Sequence, residues 1–111
     1  MRAEALKGHL DGLLLAALEV GPLHGYAVIE KLRDGSSGQF DLPTGTVYPA
    51  LHRLEAGGLV KSGWSVVAGR RRRDYQLTDA GRDALAGRRS AWQEFSAAVS
   101  LLLQEKPRRA T

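Results

Sequence analysis

Hydrophobic positions along this chain fall at helical spacing first, then in alternation, then at helical spacing again. Residues 9–20 hold Leu10, Leu13, Leu14, Leu15, Ala17 and Leu18, apolar on most sides. That pattern predicts a buried helix with Asp11 and Glu19 on its exposed edge, and Gly21-Pro22 ends it. Residues 23–33 restart with Tyr26 and Ile29, then Val28 and Leu32, as pairs on one face of a second helix. Glu30, Lys31 and Arg33 lie away from that face. The Gly-Ser-Ser-Gly run at 35–38 predicts a loop, after which Phe40 and Leu42 cover the core before Pro43.

Residues 44–57 predict a third helix. Val47, Leu51 and Leu54 recur at i, i+4 and i+7 and share a face, and Gly57-Gly58 stops the helix. Thr44, Thr46, Tyr48, His52, Arg53 and Glu55 lie elsewhere on it. Two threonines, a tyrosine and Arg53 on an exposed helix suit phosphates and base edges; an ordinary surface helix is the plainer alternative. Pro49 has no N–H and fits only a helix's first turn. Either the helix begins near Thr46 or its first turn is loose with one bond missing, and Thr44 or Thr46 is placed to cap it.

Alternation takes over next. Residues 59–67 and 71–77 predict two strands joined at Ala68-Gly69-Arg70, with Tyr75 and Leu77 facing the core and Arg72, Asp74 and Gln76 facing away. Arg70, Arg71, Arg72 and Arg73 crowd the turn and the returning strand. Such a run is commonly a solvated turn. Behind a helix of this kind, phosphate contact or insertion into a minor groove is the stronger reading. Trp64 reads as a packing residue at the hairpin base. A helix followed by a basic hairpin is the layout of a winged helix-turn-helix, whose helix N-terminus, here carrying Thr46 and Tyr48, enters the major groove.

From the cap Thr78 a last helix runs to about Leu103, about 26 residues or roughly 39 Å. A small core cannot cover that length. Leu85, Trp92, Phe95, Val99 and Leu102 are spaced by 7, 3, 4 and 3, a heptad seam that wants another helix. Gly87-Arg88-Arg89 interrupts the seam and leaves the earlier part with its own domain. A face folded back within one chain is the alternative to a dimer.

Composition narrows this picture. A chain of 111 residues suits one domain with a small core, and 43% hydrophobic with 25% charged residues does not favour disorder. A net charge of +4 favours a polyanionic partner without naming it. Absence of cysteine excludes disulfides and thiolate metal sites and agrees with a cytoplasmic location. The N-terminal residues lack a signal peptide's apolar core, and the apolar run at 13–18 is too short to span a membrane. His9, His24 and His52 fall in no metal-ligand spacing, and no Gly-x-Ser-x-Gly elbow or phosphate-cradling glycine loop is present. No enzyme activity, metal or cofactor is expected.

The runs KGHLDGLLLAALEVGPLHGYAVIEKL, TGTVYPALHRLEAGGLVKSGW and GRRRRDYQLTDAGRDAL resemble the PadR-like transcriptional regulators, in the family's order and spacing from about Leu6 to Leu103. The resemblance implies sequence-specific binding of double-stranded DNA at an inverted-repeat operator, most simply as a repressor. It implies contacts from Tyr26, Thr44, Thr46, Tyr48 and the run Arg70, Arg71, Arg72, Arg73, a run richer in arginine than the usual pattern. It also implies a homodimer in which the last helix packs on its counterpart and on the first helix. An aromatic or cationic small-molecule effector would relieve repression. Leu85, Trp92, Phe95, Val99 and Leu102 are the expected dimer or effector surface, with Trp92 either filling the dimer core or facing its symmetry mate across a ligand. A winged-helix protein-interaction module and a small-molecule-binding scaffold without DNA binding are the rival classes.

The expected fold is therefore mainly α with a small β-hairpin: a winged helix-turn-helix with a long C-terminal dimerisation helix. Its expected parts are a DNA-binding domain over 1–77, the dimerisation helix over 78–104 and a disordered basic tail over 105–111.

Overall fold

The computed structural model describes residues 6–105, so residues 1–5 of the expected DNA-binding domain and residues 106–111 of the expected tail lie outside the described residues. The elements are α1 (Leu10–Ala17), β1 (Leu23–His24), α2 (Gly25–Gly35), α3 (Thr44–Ala56), β2 (Val60–Val67), β3 (Arg70–Leu77) and α4 (Asp79–Leu103). Helix α1 is shorter than its apolar run. The N–H of Glu19 bonds to the Ala16 carbonyl, three residues back, and the chain leaves the helix with Val20 exposed and Gly21 at a positive φ of 151°.

Leu23 and His24 are not helical. They form β1, antiparallel to β3 with Leu23 opposite Tyr75 and His24 opposite Asp74, so the sheet has three strands in the order β1-β3-β2. Two residues carry no periodicity; this strand exists because β3 offers it an edge. On α2, Val28, Ile29 and Leu32 are buried, but Tyr26 is 55% exposed and does not share their face.

Helix α3 buries Val47, Ala50, Leu51 and Leu54, the predicted face plus one alanine. It starts at Thr44 and keeps Pro49 inside it. Its N-cap is Pro43, with no side-chain cap; neither threonine fills that role. The Pro43 carbonyl instead takes the N–H groups of both Thr46 (3.0 Å) and Val47 (3.2 Å), while Pro49 has no N–H to give the Gly45 carbonyl.

The hairpin turns in two residues, not three. Val67 lies opposite Arg70, and Ala68 and Gly69 both have positive φ (53° and 76°), as a type I′ turn requires. Thr78 caps α4 as expected, its Oγ1 accepting from Gly81 N at 3.0 Å and donating to the Gly58 carbonyl at 2.6 Å. One core joins Leu14, Leu15 and Leu18, the inner faces of α2 and α3, Leu42, Val60, Tyr75, Leu77 and Leu85. Of α4, only Gly81 and Leu85 are buried.

Candidate nucleic-acid interface

Exposed polar groups gather where α2 and α3 begin. Thr44 is exposed, Thr46 and Tyr48 are half-buried, and Tyr26 stands out from the first turn of α2. The ring of Tyr48 lies against Gly25. A Cβ at Gly25 would sit 2.5 Å from Tyr48 Cε1, so only glycine admits this ring. The ring contact therefore brings the start of α2, with Tyr26, against the first turns of α3. Thr44, Thr46, Tyr48 and Tyr26 form one polar, aromatic end of the helix pair, where α3's positive dipole end favours an anion.

Arg53 is placed differently. Near the other end of α3, it ion-pairs with Asp11 of α1, whose other oxygen lies 3.8 Å from Arg88 of α4. The structure thus ties this arginine to α1 and α4 and does not bring it to the Thr44–Tyr48 end. Two more contacts hold α4 to the α1 region. Arg89 donates two hydrogen bonds of 3.0 Å to the Glu19 carboxylate, holding that carboxyl below its usual range, first by hydrogen bonding and then by charge. His9 meets the Trp92 ring edge-on at 5.4 Å.

On the wing, strand alternation sorts the arginines. Arg71 and Arg73 lie on the same face as Tyr75 and Leu77, beyond the end of the core. Trp64 lies directly opposite Arg73, is 60% exposed, and stacks under both guanidiniums, 4.7 Å from Arg71 and 5.6 Å from Arg73. It is a mid-strand platform for arginines, not the packing residue expected at the hairpin base. Sequence reasoning missed this role because a three-residue connection loses the register, whereas the Ala68-Gly69 turn pairs Trp64 with Arg73 directly. Arg72 projects to the opposite face, 3.2 Å from Asp74. Arg73 Nε donates to Ser62 Oγ at 2.8 Å, and Ser62 donates to Glu55 of α3, which joins the wing to that helix.

Along α4 beyond the first turns, apolar side chains meet little of the described residues of their own chain. Trp92 is 53% exposed, Phe95 59% and Leu102 86%, with Leu101 and Leu103 also exposed and Val99 half-buried. Leu85 is the member of the expected seam that the core of its own chain takes up. Among the described residues no group of three or more His, Cys, Asp or Glu is placed to hold a metal, and no helix is long and apolar enough to cross a membrane.

Residues 14–87 match the model of the transcriptional regulator PadR-like family. A transcriptional regulator of Mycobacterium tuberculosis is 54% identical over 55 residues, a stretch spanning 50% of this chain and only 51% of that protein. Among solved structures, a PadR-like transcriptional regulator from Bacillus cereus superimposes with a TM-score of 0.81 at 28% identity, covering 93% of this chain and 99% of the other. A PadR family transcriptional regulator from Eggerthella lenta does so with a TM-score of 0.79 at 31% identity, covering 94% and 89%.

Proposed function

The chain belongs to the PadR-like family of transcriptional regulators, and from that premise we propose that it is a dimeric DNA-binding repressor, acting in the cytoplasm and relieved by a small molecule. The observation that carries this reading is the exposed Tyr26 and Thr44 beside the half-buried Thr46 and Tyr48 where α2 and α3 begin, together with a wing bearing four arginines. In it, residues 1–77 contact DNA, with the start of α3 in the major groove and the wing on the backbone or in the minor groove. Residues 78–104 dimerise. An α4 whose outer half exposes Trp92, Phe95 and Leu102 leaves a large apolar strip that a second copy of the same helix covers. The effector is an aromatic or cationic compound held near the paired Trp92 side chains, where indole faces supply stacking and cation–π contacts.

Footprinting and gel shifts on the DNA upstream of the protein's own gene, at two salt concentrations, test this. A two-fold dimer requires an inverted repeat with half-site centres about 34–36 Å apart or a multiple of that. Thr46→Ala or Tyr48→Ala lowers the ratio of specific to non-specific affinity and not only the total. A single unrepeated half-site sinks the symmetric dimer. No retardation at either salt concentration leaves a protein-interaction or ligand-binding scaffold in its place.

A further inference from the structure

We infer that the four wing arginines divide their labour: Arg70 and Arg71 contact the nucleic acid, Arg72 and Arg73 are committed within the protein, and Trp64 is the positioning residue that presents Arg71. This rests on the DNA-binding reading above and goes beyond it by assigning each arginine.

The division follows from what each guanidinium meets. Arg72 has Asp74 at 3.2 Å on the outer face of β3. Arg73 has Glu55 at 3.7 Å and Ser62 at 2.8 Å, so its charge is answered by α3 and its direction is set by a hydrogen bond. To bind phosphate, either must leave a carboxylate that is itself only about a quarter exposed (25% for Asp74, 28% for Glu55), stranding a partly desolvated negative charge beside a polyanion. Arg70 has no side-chain partner among the described residues. Among the same residues Arg71 has no carboxylate partner either and lies over the face of Trp64.

The tryptophan is otherwise unexplained. An indole more than half exposed on a hairpin contributes little to a core it does not touch. Set under Arg71, it removes much of a long side chain's freedom before binding and leaves the guanidinium edge open, since stacking uses the flat face and hydrogen bonding uses the rim. Arg73 flanks the same ring and keeps it in place from the other side.

Binding to a short duplex of arbitrary sequence, measured across a range of KCl concentrations, separates these roles because each phosphate contact contributes about 0.9 to the slope of log K against log salt. Arg70→Gln and Arg71→Gln each flatten the slope by about 0.9 for every wing engaged. The charge-neutral pairs Arg72→Gln with Asp74→Asn and Arg73→Gln with Glu55→Gln leave it unchanged. Trp64→Leu weakens binding about two- to fivefold, the scale of one exposed cation–π contact, with the thermal midpoint unmoved. Trp64→Phe restores affinity, and Trp64→Leu has no further effect when Arg71 is already Gln, as a double-mutant cycle requires. Flattening by the neutral pairs, or a Trp64 effect that persists without Arg71, overturns the assignment. A wild-type protein that binds no duplex overturns the functional reading itself, and the assignment with it.

Discussion

Gly81 and Gly87 both lie in α4, yet alanine at the two positions should move stability in opposite directions. A Cβ at Gly81 would sit 1.9 Å from the Leu59 carbonyl oxygen. An ordinary carbon–oxygen contact is about 3.3 Å, so the helix start and the Leu59 backbone must part by about 1.4 Å. Neither is free to move. The Leu59 carbonyl accepts from Thr78 N at 3.2 Å, Leu59 N donates to the Leu54 carbonyl at 3.0 Å, and Val60 opposite Leu77 begins the β-ladder one residue later. Parting them breaks the Thr78 bond and strains the cap that Thr78 makes to Gly81. The lost bond costs about 1 kcal/mol, the cap about 1 kcal/mol, and the residual overpacking about 1–3 kcal/mol. Alanine's helix preference returns about 1 kcal/mol. Gly81→Ala is therefore destabilising by about 2–4 kcal/mol on these terms. Among the described residues a Cβ at Gly87 meets nothing within 4 Å, so Gly87→Ala gains about 0.5–1 kcal/mol. Urea midpoints at one fixed protein concentration measure both, since the stability of the proposed dimer would depend on concentration. A Gly81→Ala protein as stable as wild type, or a shared sign for the two variants, refutes the reasoning.

At Gly25 the neighbour that must give way is a side chain, not backbone. Gly25→Ala should displace the Tyr48 ring, lowering the specific-to-non-specific DNA affinity ratio while the urea midpoint shifts by less than about 1 kcal/mol equivalent; a large loss of stability with specificity intact would contradict this. Trp92→Ala should abolish effector binding and the accompanying indole quenching while leaving a dimer that binds operator, as sedimentation and gel shifts would show. A monomeric or unfolded variant would make the indole a core residue instead.

Periodicity was informative where one element buries one face. Val47, Leu51 and Leu54 identified the inner side of α3 because a 3.6-residue repeat survives any tertiary arrangement, and Thr78 marked the start of α4 by its local capping chemistry alone. What failed to show locally was what depends on a distant partner. Strand β1 is two residues long and is specified by the free edge of β3; Tyr26 looked like a core residue beside Ile29 until the helix rotation was fixed by Val28 and Leu32. The ion pair of Arg53 did not show in the sequence because its partner Asp11 is 42 residues away. Trp64 shows the same limit at shorter range: its partners follow from the register, and the register follows from whether the turn holds two residues or three.

Those distant contacts also determine how α3 is held. Arg53 fastens it through Asp11 toward α1 and Arg88 of α4, and Glu55 fastens it through Ser62 and Arg73 to the wing. Each is a partly exposed polar contact of the kind worth about 0–1 kcal/mol. Burial of Val47, Ala50, Leu51 and Leu54 is several times larger, at about 1.5–3 kcal/mol for each large apolar side chain. The ion pairs therefore orient α3 while the core fixes it, and bending it away from the wing would give up the larger quantity. Beyond Arg89, by contrast, α4 is held to the described residues of its own chain by little more than the edge-on contact of Trp92 with His9. In the proposed dimer, the inexpensive motion is one protomer turning against the other about that outer half of α4, carrying α3 and its wing as a unit. An effector seated there lowers operator affinity only by preferring the turned arrangement; equal affinity for both arrangements changes nothing, however tight the binding.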